Sequence, residues 1–229
     1  MIQENIRIVQ DRIAGACRRS GRDPAAVTLI AVSKTFGAAQ IAEAGRYGLS
    51  DFGENYIQEL RAKKEVLAGS DIRWHFIGHL QTNKIRYIAQ WVHMIHSVDS
   101  VRLSSALSAA GARIGRTIPI LVEVNTTGES SKFGCPPEQT PEFTREIRDL
   151  PWIRVAGLMT MGPLSENPEA ARPAFRLLRG LRDRIREDGL NISHLSMGMT
   201  NDFEVAIEEG ATHLRIGTAI FGARGPGGH

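Results

Sequence analysis

Lysine is scarce in this sequence. Of 28 basic residues only five are lysines, at Lys34, Lys63, Lys64, Lys84 and Lys132, so chemistry that needs a neutral, nucleophilic amine has five side chains to draw on. Cysteine is scarcer still. Cys17 and Cys135 stand far apart, with no other Cys or His at metal-ligand spacing, which argues against a disulfide framework and for reduced thiols in a cytoplasmic protein. The opening stretch MIQENIRIVQDRIAGACRRSGRD carries charges throughout, so it reads as neither a signal peptide nor a membrane span. No Pro/Ser-rich linker, low-complexity tract or shift in composition divides the chain, and a single domain over residues 1–229 is expected. The rest is ordinary for a globular protein: 42% hydrophobic and 23% charged residues, and a net charge of +3 that neither demands nor excludes an anionic partner.

Strand-like and helix-like segments alternate along the chain. Ile2, Ile6, Val9, Ile13 and Ala16 recur at helical spacing and predict a leading helix stopped at Gly21. Strands are predicted at residues 27–33 and 51–53, in IRWHFIG and VHMIHSVD, at 118–125, and in IRVAGLMTM, ISHLSMG and ATHLRIG. Helices are predicted at 38–47, 56–68, 82–89, 100–111, 138–149, 168–188 and 201–209, with a last short turn at 218–221. Eight such units predict an α/β fold, a (β/α)8 TIM barrel with an extra N-terminal helix. A doubly wound sheet is the rival, but the Gly-rich fingerprint normal after its first strand is missing.

In a TIM barrel the chemistry gathers at the carboxyl ends of the strands. Read in order, those ends hold Lys34, Asn55, His79, residues 97–99, the Lys132 loop, residues 159–161, Ser196 to Thr200, and Arg215 to Thr218. The seventh and eighth suggest a phosphate site. SMGMTND offers a hydroxyl, a glycine for close backbone approach and the opening N–H groups of a helix, and RIGTAIFG offers Gly217 and Thr218 before another. Either motif alone suits an ordinary strand-to-helix turn; two on adjacent strands favour phosphate. Lys34 ends the first strand, where desolvation would lower its pKa and free the amine to form a Schiff base. A lysine facing a phosphate site across a barrel mouth points to pyridoxal 5′-phosphate, with Arg215 directed at the ring. The other lysines are weaker candidates: Lys63 and Lys64 fall on a helix face expected to be solvated.

The stretches AVSKT, FGENY, WHFIGHLQTNK, GLMTM, LSMGMTND and RIGTAIFGAR together closely resemble the YggS/PROSC family of pyridoxal phosphate homeostasis proteins, over residues 27–224. The resemblance implies a single barrel like the N-terminal domain of alanine racemase. It also implies that Lys34 carries pyridoxal 5′-phosphate as an internal aldimine, that Ser196, Gly217 and Thr218 hold the phosphate, and that Arg215 faces the pyridine nitrogen. Asn55 and His79 match family positions near the cofactor. Many relatives carry a second lysine two residues after the first, where this chain has Phe36, and Lys132 is then the auxiliary amine that the resemblance leaves.

An arginine at the pyridine nitrogen disfavours a proton there and weakens the ring as an electron sink, although alanine racemase uses the same arrangement. More telling is what the racemases add: a β-domain and dimer contacts that bring a second acid/base. With five residues after Arg224, no such domain is expected, and Tyr47, Tyr56 and Tyr87 lie early in the chain. The expectation is a monomeric carrier that buffers pyridoxal phosphate or delivers it to apo-enzymes. The alternative is a weak amino-acid racemase or lyase. Arg172, Arg176, Arg179, Arg182 and Arg186 form a basic stripe that could track nucleic acid, but Asp183 and Glu187 interrupt it and no aromatics interleave, so a solvated helix face is expected. His75 and His79 straddle a strand end and do not share a helix face, so no metal site is expected and His75 reads as a core or supporting residue.

Overall fold

The alternation closes into a barrel in the computed structural model, which describes residues 1–223; Arg224 and the five residues after it lie outside the described residues. Strands β1 (Thr28–Val32), β2 (Asp51–Glu54), β3 (Arg73–Phe76), β4 (Met94–Val98), β5 (Ile118–Glu123), β6 (Ile153–Met159), β7 (His194–Ser196) and β8 (His213–Ile216) pair in chain order. All pairs are parallel, and β1 pairs with β8, Ile30 opposite Arg215, to close the ring. The helices are α1 (Ile2–Arg19), α2 (Ala38–Arg46), α3 (Ile57–Val66), α4 (Val101–Ile114), α5 (Thr140–Ile147), α6 (Arg172–Glu187), α7 (Phe203–Glu208) and α8 (Thr218–Phe221). Among the described residues, no helix is long and apolar enough to cross a membrane.

The apolar stripe of α1 is buried at all five predicted positions, with Cys17 beside them. It packs on α7 and α8, and Asn5 Nδ2 donates to Ile220 O at 2.9 Å, so the leading helix covers the flank where the chain returns. Two predicted helices come out differently. Residues 82–89 give a 3-10 turn at Thr82–Tyr87; its buried Ile85 and the buried Ile88 that caps it stand three apart, the period of that tighter coil. Residues 168–188 split into a 3-10 turn at Pro168–Ala171 and then α6. Pro173 lacks an N–H and its ring would meet the carbonyl four residues back, so a continuous α-helix cannot run through it.

The main core lies between the strands and the helices, built on Phe52, Trp74, Phe76, Phe175 and Phe203. A separate small cluster of Met94, Leu121, Ala156 and Met159 fills part of the lumen. Much of the rest of the lumen is polar, with Ile30 of β1 beside it. Rings of His75 and His96, from β3 and β4, approach His213 of β8 with centroids 6.2 and 6.0 Å apart, a contact possible only across the barrel interior. The basic stripe on α6 is partly committed: Arg172, Arg176 and Arg179 reach the buried carboxylate of Glu209 at 2.8, 3.0 and 3.1 Å. Those three arginines tie α6 to the end of α7 and are not simply solvated.

Candidate functional site

A cavity of about 520 Å³ opens at the carboxyl ends of the strands. Its wall takes Val32 and Lys34 after β1, Asn55 after β2, the 161–165 segment after β6, the 199–202 turn after β7, and Arg215, Gly217 and Thr218 from β8. Because β1 and β8 are neighbours in a closed ring, Lys34 stands beside the Gly217–Thr218 turn and does not face it across the mouth.

The Lys34 turn is held from both flanks. Lys63, expected on a solvated face, is buried: its Nζ donates to Ser33 O at 2.8 Å, Glu54 Oε1 at 2.6 Å and Glu59 Oε2 at 3.0 Å. The correction has a simple cause. Position 63 falls on the side of α3 that meets β2, where the wholly buried Glu54 needs a counter-charge, while Lys64 is half-buried and Arg61 and Glu65 face solvent. Ser33 Oγ also donates to Glu54 Oε1 at 2.6 Å, and the Thr35 N–H donates to Glu59 Oε2 at 2.9 Å. Thr35 adopts φ 70°, a left-handed conformation that a β-branched residue enters only at a cost. Burial pushes the Glu54 carboxyl upward against the hydrogen bonds of Lys63 and Ser33. Phe36, where relatives were expected to carry lysine, stacks on Phe221 with centroids 4.9 Å apart and joins this turn to α8.

At the other flank, Arg215 is almost wholly buried, with Nη1 donating to Ser196 Oγ at 2.6 Å and Nη2 to Thr160 O at 2.8 Å. Burial lowers its pKa to about 10, so the guanidinium remains charged at neutral pH. Glu123, at the end of β5, is pushed up by burial to about 7, with the charge of Arg215 pulling the other way. Two glycines permit the chain's close approaches here. A Cβ at Gly198 (φ +94°) would sit 2.6 Å from that of Ala206, and one at Gly217 would meet Val32 O at 3.1 Å. Past Gly198 the chain turns so that the Met199 N–H donates to Asp202 Oδ1 at 2.6 Å, which presents Thr200 and Asn201 to the cavity.

Of the residues singled out from sequence, the structure gathers Lys34, Asn55, Arg215, Gly217 and Thr218 around this cavity. Ser196 lies beneath the cavity floor, its hydroxyl engaged by Arg215 and by His96 Nδ1 at 2.9 Å. His79 stands apart on the rim, stacked on Phe133 with centroids 4.1 Å apart and facing a neighbouring cavity of about 290 Å³. Lys132 donates to Glu129 Oε1 at 2.6 Å and to Gly162 O at 3.0 Å, tying the fifth loop to the sixth. Sequence reasoning missed Lys63, Glu54, Glu59 and Glu123. One signal was available: glutamates nine and four residues before Lys63, the first of them ending a strand.

The chain matches the alanine racemase N-terminal domain family over residues 2–225. It is 46% identical over 222 residues to a pyridoxal phosphate homeostasis protein of Aquifex aeolicus, covering 96% of this chain and 97% of that protein. A protein of the same name from Escherichia coli K12 is 39% identical, with 97% of each covered. Among solved structures, PipY of Synechococcus elongatus with pyridoxal phosphate bound superposes with a TM-score of 0.85 at 32% identity, covering 97% of this chain and all (100%) of that one. Alanine racemase of Corynebacterium glutamicum shares the fold at a TM-score of 0.76 and 16% identity, with 97% of this chain laid over 61% of that one.

Proposed function

This chain belongs to the family of pyridoxal phosphate homeostasis proteins, and we propose that it binds pyridoxal 5′-phosphate in the cavity at the barrel mouth, holds it on Lys34 as a Schiff base, and buffers or delivers it without strong catalysis. The observation that carries the reading is the gathering of one lysine, one buried arginine and a glycine-opened turn on a single cavity wall.

The residues fit the group's three demands. Its aldehyde calls for an amine, supplied by Lys34. Its phosphate calls for N–H and O–H donors with no side chain in the way, supplied by Gly217, Thr218 and Thr200. Its ring nitrogen calls for a polar partner, and Arg215 is anchored with its guanidinium at the wall. When bound, the cofactor supplies an electrophilic carbon and a conjugated ring that takes up electron density. Arg215, charged at neutral pH, would be the residue to hold that nitrogen and would disfavour a proton on it. A cavity of about 520 Å³ lies within the range of roughly 300–1,000 Å³ usual for small-molecule sites.

Two features favour a carrier over the racemase or lyase alternative. The titratable groups on the described cavity wall are Lys34, Asp202 and Arg215, and the Asp202 carboxylate is committed to the Met199 N–H. Lys34 is only partly buried, so the lysine amine of an apo-enzyme can reach the carbon it holds. The test is an absorbance spectrum of the purified protein after incubation with pyridoxal phosphate. A band near the visible edge that borohydride fixes covalently in wild type, and that Lys34→Ala lacks, is expected. No band in either protein would sink the reading. Exchange of an amino acid's Cα proton into deuterated water at an enzyme-like rate would favour the racemase alternative.

A further inference from the structure

Behind Arg215 a line of buried side chains runs the length of the lumen. Ser196 Oγ lies 2.6 Å from Arg215 Nη1 and 2.9 Å from His96 Nδ1. His96 Nε2 lies 2.9 Å from His75 Nδ1, and His75 Nε2 lies 3.0 Å from Asp51 Oδ1. Asp51 begins β2 at the opposite end of the barrel, where the half-exposed Arg73 donates Nε to Asp51 Oδ1 at 2.8 Å. His75, His96 and Ser196 are all at most 1% exposed.

The direction of every bond follows from what each group can do. A guanidinium only donates, so Ser196 accepts from Arg215 and has one proton to give. His96 Nδ1 must take it. The proton of a neutral His96 is then on Nε2, His75 Nδ1 must accept it, and His75 Nε2–H donates to the Asp51 carboxylate. Every donor and acceptor in the line is satisfied with both imidazoles neutral. Reversing the tautomers would leave the Ser196 proton without an acceptor and set a bare His75 nitrogen against a carboxylate. Burial acts in the same sense, lowering the pKa of both imidazoles.

We propose that Asp51, His75, His96 and Ser196 form a one-directional positioning relay that orients Arg215 in the cavity wall and sets how strongly its guanidinium donates there. Aligned hydrogen bonds polarise one another, so the Asp51 carboxylate at the foot of the barrel strengthens the acceptor that Ser196 offers at the mouth. Neutral links can do this where a second buried ion would be costly. The effect on a bound cofactor rests on the function proposed above; the relay itself does not.

The test begins with the cofactor-free protein and needs no variant. Nitrogen-15 NMR of labelled histidines at neutral pH should show His75 and His96 both neutral and both protonated on Nε2. An Nδ1–H tautomer or a protonated ring at either position overturns the proposal. Ser196→Ala should shift His96 Nδ1 toward an acceptor without a donor and shift His75, one residue further along the line, with it. A change confined to His96, in a variant that still melts cooperatively, overturns the relay. Pyridoxal phosphate should then bind about tenfold more weakly to Ser196→Ala, the size expected for loosening one hydrogen bond to a charged group, with a displaced absorbance band. Ser196→Thr, which keeps the hydroxyl, should recover both. The expected tautomers in a protein that takes up no pyridoxal phosphate would sink the proposed function and leave the relay standing.

Discussion

Two buried polar systems hold the two basic side chains of the cavity wall, Lys34 and Arg215, and they do it by opposite means. Around Lys34 the support is charged: Lys63 sits between Glu54 and Glu59 in the space between barrel wall and α3, and ties down Ser33 and Thr35 through them. Behind Arg215 the support is mostly neutral: two imidazoles and a hydroxyl, with ions only at the ends. The site near α3 can bring in a counter-ion from a helix. The lumen is walled by strands alone, and burial there drives imidazoles to their neutral form. Orientation can therefore come from pairing charges or from aligning neutral donors, and the surroundings decide which.

The difference predicts unequal responses to acid. His213, inside the lumen, has its pKa lowered by burial to about 3, and His75, His93, His96 and His194 are lowered in the same direction. The unfolded chain, with histidine near about 6.5, binds more protons below that pH. Stability is therefore full above about 6.5 and is lost as pH falls toward 3, by up to about 1.4 kcal/mol per unit for each buried imidazole. Glu123 runs the other way. Its folded pKa near 7 exceeds its unfolded value, so its contribution is present below about 4.5 and fades as pH rises through 7. Burial raises the Glu54 and Asp202 carboxyls in the same sense as Glu123, and the three buried imidazoles, His75, His96 and His213, act against them; the melting temperature should drop between pH 7 and pH 4.5. A flat profile over that window would overturn the neutral-lumen account.

Breaking the charged system should have the next largest effect. Lys63→Met leaves Glu54 buried without its counter-ion, and its Oε2 already has no hydrogen-bond partner among the described residues. A loss of about 3–5 kcal/mol is expected in a denaturant melt, largely recovered when Glu54→Gln is added. If Lys63→Met melts like wild type, the ion pairs do not hold this turn. The smallest effect sharpens the comparison most. Thr35→Gly should relieve the left-handed backbone and leave stability within about 1 kcal/mol of wild type. It should also slow borohydride-trapped capture of pyridoxal phosphate, because the turn carrying Lys34 is then less defined. Unchanged capture would show that the constraint at Thr35 does not serve Lys34.

The strand ends of the cavity were legible in the sequence because a βα unit announces its own carboxyl end: Lys34 after TLIAV, and Gly217 and Thr218 after HLRI. The supports were not legible. Lys63 looks solvated in RAKKEV until α3 is laid on β2 and one of two adjacent lysines turns inward. His75, His96 and Ser196 sit in three different strands; taken alone, His75 reads as a core or supporting residue, Ser196 as a phosphate ligand, and His96 carries no reading at all. Only closure of the ring, which no local pattern encodes, puts them in line. The same closure moved Lys34 next to Gly217, where the linear order of units had suggested opposite sides.

The seam between β1 and β8 also sets when this protein can work. As the chain leaves the ribosome, Thr28–Val32 gains one partner strand early but keeps its other edge unpaired until residues 213–216 have been made. Until then Lys34 has no Gly217 beside it, Phe36 has no Phe221 to stack on, and Ser196 has no Arg215 to receive. Under the proposed function, binding competence thus arrives with the eighth strand, because a half-made chain has the Lys34 turn without the Gly217 turn that completes the cavity wall.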